Sequence, residues 1–211
     1  MGQTGNVCPE GFPQWQEVME DWASSMHHAV SQVASMLSIG LGYESKFIPE
    51  LCKDGDHLLA PTGSDLKSIQ KGTVLAGFHY DLNLLTIHGK SRFPGLRVWL
   101  RDGSVMEVKV PDGCLLVQAG KQLEWLTGGK ILAGYHEVAV LESTIQAVSK
   151  AKSENHSLWR VSSTFFYHYG HQRLLKPFDE DIPVEFAEKY PPMSTKEYIR
   201  KELEGISLLK K

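Results

Sequence analysis

Between Thr73 and Tyr169 the chain is written almost entirely in short apolar runs, each closed within a few residues by Gly, Pro, Asp or Ser. That rhythm restricts the segment to an antiparallel β architecture. The candidate strands are Thr73 to Phe78, Leu82 to His88, Leu96 to Leu100, Val105 to Val110, Cys114 to Gln118, Ile131 to Val140 and Leu158 to Tyr169. Arg101-Asp102-Gly103-Ser104 and Pro111-Asp112-Gly113 have the composition of tight turns. Many short strands joined by close turns point to a sandwich or jelly roll, and away from an alternating α/β layout.

Upstream the period is helical. From Pro13 to Leu37, Trp15, Val18, Met19, Trp22, Met26, Val30, Val33, Ala34 and Leu37 recur at intervals of three and four. This makes one continuous apolar stripe, whose tryptophan-bearing face is expected to lie against a sheet. Pro13 suits a first turn, and Gly40 and Gly42 suit the stop. A second helical pattern, Ser143 to Ser153, interrupts the strands, and the last thirty residues return to helix. There, Ser194-Thr195-Lys196-Glu197 opens a segment with Tyr198, Leu203 and Ile206. The expected architecture is mainly β with flanking helices: a single domain over residues 1–211, with a supporting helix at 13–38, a double-stranded β-helix (jelly roll) at about 56–170 and a helical tail at 171–211.

Composition excludes several classes of function. Lys and Arg total 22 against 25 Asp and Glu, a net charge of −3, with no basic run to track phosphates. Nucleic acid is therefore not the expected partner. No apolar run approaches the roughly eighteen residues of a membrane span, and the first residues lack a signal-peptide core. Cys8, Cys52 and Cys114 form no C-x-x-C pair. These features lead us to expect a reduced, cytoplasmic, soluble protein with a small-molecule partner; oligomeric state is not legible.

The chemistry centres on His79-Tyr80-Asp81. Residues two apart on an extended chain project to the same face, so an imidazole and a carboxylate converge there. His136 lies in another strand-like run, which a jelly roll can fold back beside the first. Two histidines and a carboxylate form a metal-binding facial triad with open positions opposite. Arg160-Val161-Ser162 is a second alternating pair, on an apolar strand. An inward Arg needs an acidic partner, and its planar fork with a serine hydroxyl suits the distal carboxylate of a 2-oxo acid. If Arg160 and Ser162 face inward, so do Thr164 and Phe166, which makes Phe166 the candidate substrate contact.

Taken alone, each of these residues has a plainer reading. His79 and Asp81 can be an ordinary strand-end pair, His136 a core histidine, and Arg160 a surface ion-pair partner. His27 and His28 point in different directions on a helix and are expected to be solvated. His168 and His171 follow the R-x-S strand and are expected near its exit. Cys114, Trp99 and Trp125 read as core.

The ordered series resembles the C-terminal oxygenase domain of the isopenicillin N synthase-like Fe(II)/2-oxoglutarate dioxygenase family. It consists of His79-x-Asp81, Leu85-Thr86-Ile87, Pro94-Gly95-Leu96, the hairpin at Asp102-Gly103, Gly120-x-Gln122-Leu123-Glu124, Gly128-Gly129-Lys130, His136 and Arg160-x-Ser162. The resemblance implies Fe(II) held by His79, Asp81 and His136, with 2-oxoglutarate gripped by Arg160 and Ser162. It further implies dioxygen-dependent oxidation of a small organic molecule, with release of succinate and carbon dioxide. Four departures accompany it. The 24 positions from His136 to Arg160 imply an inserted helix at Ser143 to Ser153, and Glu137 stands where the family usually has Arg. Leu58-Leu59-Ala60-Pro61 replaces a tyrosine-containing stretch, and the family's further N-terminal segment is lacking. An oxidase of the same fold that dispenses with 2-oxoglutarate, and a catalytically silent interaction module, are the alternatives.

Overall fold

A computed structural model describes residues 6, 8–179 and 183–205. Its frame is two four-stranded antiparallel sheets, with successive strands passing from one to the other except at the hairpin that joins Leu96–Trp99 to Val105–Glu107. The larger sheet orders β1 (Leu58–Asp65), β8 (Trp159–Tyr167), β3 (Leu85–His88) and β6 (Leu116–Ala119). The smaller orders β2 (Val74–His79), β7 (His136–Ala139), β4 (Leu96–Trp99) and β5 (Val105–Glu107). This is the expected jelly roll.

Helix α1 (Trp15–Gly40) lies on the outer face of the larger sheet. Met26, Val30 and Ala34, one helical turn apart, bury against Leu85, Ile87, Phe165 and Tyr167. Burial of each large side chain contributes roughly 1.5–3 kcal/mol. The contact stripe runs further towards the C-terminus than the tryptophans. Val18 is exposed, and Trp22 is half-exposed, reaching the sheet through its indole N–H, which donates to Ser163 Oγ at 2.7 Å. Gly42, with φ of +87°, takes the left-handed turn just past the helix end. Ser38 Oγ then accepts the Ile48 N–H and ties down α2 (Phe47–Cys52), a helix absent from the sequence expectation.

Strand β8 shows why the sheet has two different faces. Phe165 and Tyr167 point to α1, while Arg160, Ser162, Thr164 and Phe166 alternate with them and line the space between the sheets. The expected interrupting helix is α4 (Glu142–Ser153), which packs Val148 and Ala151 on Leu66 and Phe93 at one end of the sandwich.

Several expectations need correction. The stretch from Pro61 to Asp65 is polar and turn-rich and predicts a loop, yet it belongs to a full edge strand, Leu58–Asp65, paired with β8 from Leu58↔Phe166 to Asp65↔Trp159. Cys114 is exposed, not core, because the Pro111 turn extends through it and β6 starts only at Leu116. Residues 131–135 lie outside β7, which begins at His136. Gly120, Gly128 and Gly129 bracket a further helix, α3 (Lys121–Leu126), in the stretch before them. The tail is only partly helical: β9 (Leu174–Leu175) pairs with β10 (Met193–Ser194), and α5 (Val184–Lys189) and α6 (Thr195–Gly205) flank that pair. Ile206, expected on the last helix, lies outside the described residues. No helix among the described residues is long and apolar enough to cross a membrane.

Candidate metal centre

Strand pairing brings the first two candidate ligands together. His79 ends β2 and sits directly opposite His136, the first residue of β7. Their rings are 4.3 Å apart, on the inner face of the smaller sheet. Each Nδ1 donates to a carbonyl two residues earlier, His79 to Gly77 O at 2.6 Å and His136 to Gly134 O at 3.0 Å. This fixes both tautomers, with Nε2 bare.

Asp81 completes the set. Its Oδ1 lies 3.7 Å from His79 Nε2 and 3.8 Å from His136 Nε2. The three ligand atoms lie within 4.8 Å of one another, the one such cluster among the described residues. Oδ2 is turned away and accepts the Thr86 hydroxyl at 2.6 Å. Thr86 in turn accepts from Asn83 Nδ2 at 3.1 Å. Gly120 makes room for this arrangement: a Cβ there would lie 2.0 Å from Asn83 O, and the next amide, Lys121 N–H, donates to Asp81 O at 2.7 Å. Asp81 and His136 are buried while His79 is exposed, so the cluster stands at the cavity's mouth with one ligand open to solvent.

The donor set suits a divalent transition ion. Two neutral imidazole nitrogens and a carboxylate oxygen on one side leave the opposite positions to other ligands. No Lys or Arg among the described residues pairs with Asp81, whose side chain instead meets His79, His136 and Thr86.

A cavity of about 300 Å³ runs inward from the triad and is lined by Arg160, Ser162 and Phe166 from the larger sheet. The structure thus brings all six sequence candidates to one space. Arg160 Nε donates to Phe93 O at 3.1 Å, and its terminal nitrogens make no hydrogen bond to the described residues. Burial pulls its pKa below the ordinary value. The acidic partner expected for an inward Arg is absent among the described residues. A half-buried guanidinium with open donors is able to take an anion.

Glu137 faces away from His136's side of β7 and forms an ion pair with Arg97, its cross-strand partner on β4. Arg97 also lies over the Trp99 ring, in an outer aromatic cluster with Phe78 and Tyr135 rather than in a core. Trp125 is partly buried against the main core.

Sequence reasoning missed Thr86, His88 and Gln118, which also line the cavity. The alternation of Thr86 and His88 on β3 was the available signal. It also missed a histidine group behind the larger sheet. His57 stacks on Tyr167 at 4.5 Å, His27 lies 5.1 Å from His57, and the His168 N–H donates to His57 Nδ1 at 3.1 Å. Among these, His27 is exposed at the edge of the group, as expected, but in ring contact with Phe165 and Tyr167 as well.

Residues 44–169 match the sequence model of the 2OG-Fe(II) oxygenase superfamily. A flavonol synthase/flavanone 3-hydroxylase of Eustoma exaltatum subsp. russellianum is 28% identical over 142 residues, which cover 63% of this chain and 40% of that protein. Deacetoxycephalosporin C synthase of Amycolatopsis lactamdurans is 26% identical over 202 residues, covering 89% and 60%. A full-length Neurospora crassa protein in complex with alpha-KG and thymine superposes with a TM-score of 0.74 at 18% identity, covering 96% of this chain and 60% of that one. A 2OG-Fe(II) oxygenase family protein from Caulobacter crescentus superposes at 0.82 and 24% identity, covering 97% and 64%. At these identities the superpositions show the fold. The chain spans about 40 to 60% of the length of these curated relatives.

Proposed function

This chain belongs to the 2OG-Fe(II) oxygenase superfamily, and from that premise we propose that it is an Fe(II)- and 2-oxoglutarate-dependent dioxygenase acting on a small organic molecule. In this reading His79, Asp81 and His136 hold the metal, Arg160 and Ser162 hold 2-oxoglutarate, and Phe166 borders the substrate. The observation that carries it is the shared cavity: three convergent ligand atoms stand at the mouth, and a guanidinium with no acidic partner among the described residues lies further in.

When bound, ferrous iron with 2-oxoglutarate and dioxygen supplies oxidative decarboxylation to succinate and carbon dioxide, and with it an oxidant for a C–H bond. The protein's part is placement. Gly77 O and Gly134 O hold the imidazole tautomers, and Thr86 holds Asp81 so that Oδ1 faces the two histidines. The Arg160 fork and the Ser162 hydroxyl take the distal carboxylate, which orients the other end of the acid towards the ligands. Leu75, Leu96 and Val138 give this chamber apolar walls.

Anaerobic addition of Fe(II) and 2-oxoglutarate tests the reading. The expected result is a weak visible charge-transfer band, followed in air by succinate formed in step with oxygen uptake. Oxygen uptake without succinate would identify an oxidase of the same fold. No band at saturating ligand would identify a silent module.

A further inference from the structure

Arg160 and Ser162 do not stand at a dead end. A second cavity of about 270 Å³ lies beyond them and is lined by the same two residues. His88 and Leu96 also line both spaces. His88 is on the inner face of β3, directly opposite Thr164 of β8, so its ring projects to the side that carries Arg160 and Ser162. Its Nδ1 lies 3.0 Å from Gly89 O, a carbonyl that can only accept, so Nδ1 carries a hydrogen. Nε2 makes no hydrogen bond to any described residue, the ligand set included.

We propose that His88 is a third member of the anion clamp, a positioning residue whose ring takes up a proton as 2-oxoglutarate binds and donates Nε2–H to the carboxylate that Arg160 and Ser162 hold. The inference rests on the clamp reading given above.

Neutral His88 presents only a lone pair at Nε2, because Nδ1–H is committed to Gly89 O, and a lone pair repels a carboxylate oxygen. A proton drawn from solvent onto Nε2 turns that repulsion into a charge-assisted hydrogen bond. The charged groups around the ring set when this happens. Without an ion, Arg160 on β8 and His136 on β7 oppose a charge on His88 and Asp81 favours it; an ion held by the triad adds to the opposition, and Glu107, Lys90 and Lys109 line the far cavity. Burial is the largest influence and holds the ring's pKa below its ordinary value without a ligand. An arriving carboxylate offsets Arg160 and favours the charged ring. Lys90 and Glu107 are already committed, to Asp112 and Ser143 respectively. His88 is therefore the ring placed to answer the bound anion.

Calorimetric titration of the Mn(II)-loaded protein with 2-oxoglutarate, at pH 7 in two buffers of different ionisation enthalpy, counts the protons exchanged. The wild type is expected to show net proton uptake on binding. His88→Gln, which keeps an amide donor but cannot titrate, is expected to bind within a few-fold of wild type with uptake near zero. His88→Leu is expected to lose about tenfold in affinity, also without uptake. Unchanged proton uptake in His88→Gln, or wild-type affinity in His88→Leu, overturns the role of His88 and leaves the clamp standing. Absence of 2-oxoglutarate binding in the wild type overturns the clamp, and His88 with it.

Discussion

Asp81 Oδ2 and Thr86 Oγ1 lie 2.6 Å apart, joining a candidate metal ligand to the floor of the opposite sheet. Thr86 is fully buried and supported by Asn83, so the carboxylate is held from outside the ligand set. Thr86→Val keeps the shape and removes the donor. Metal affinity is expected to fall about 10–100-fold, with Thr86→Ser retaining most of it, as read by metal titration of the apoprotein.

Metal binding is expected to stabilise the fold through all three ligands. At an Mn(II) concentration about 100 times Kd, the wild type gains about 2.7 kcal/mol, visible as a raised melting temperature that chelator reverses. His136→Ala and Asp81→Ala are expected to show no such rise. A full rise in either variant would place the ion elsewhere.

Arg160 has opposite effects on stability and on binding. It is half-buried without an acidic partner among the described residues, so Arg160→Met is expected to melt at the same temperature as the ligand-free wild type or higher. The same change removes the charged fork, and 2-oxoglutarate affinity is expected to fall at least about 30-fold, a loss of about 2 kcal/mol or more. Ser162→Ala is expected to cost about fivefold, the worth of one ordinary hydrogen bond.

Acid is expected to loosen the contact between α1 and the larger sheet. Burial, with His27 beside it, lowers His57 from its ordinary 6.5 to about 4. Burial, with His57 beside it, lowers His168 to about 4 as well. Both rings are neutral in the fold and gain protons more readily once unfolded. Stability is therefore complete above about 6.5 and falls as the pH drops from there towards about 4. Melting temperatures measured across that window should decline more steeply for the wild type than for His57→Gln.

The strands that were legible in the sequence are those whose own residues enforce the period. In β8, Phe165 and Tyr167 alternate with Ser162, Thr164 and Phe166, and that alternation by itself assigns each side chain to a face. The candidate site was legible for the same reason: His79 and Asp81 are two apart, as are Arg160 and Ser162. Strand β1 was not, because Pro61, Thr62 and Gly63 carry turn chemistry. They are held extended by pairing with β8 at a sheet edge, where a proline costs little. The histidine group was also hidden. Residues 27, 57 and 168 share no local motif, and only the packing of α1 and the loop before β1 against β8 brings them together.

His79 and His136 are carried by the smaller sheet, and Arg160 and Ser162 by the larger. On the proposed reading the gap between the layers is thus a ruler, and the length of acid able to bridge the triad and Arg160 is set by how far apart the layers are held. Leu96 and Val138, which project into that gap from the smaller sheet, are its spacers. Trimming or enlarging them would recalibrate which chain length of 2-oxo acid fits, without touching any group that binds it.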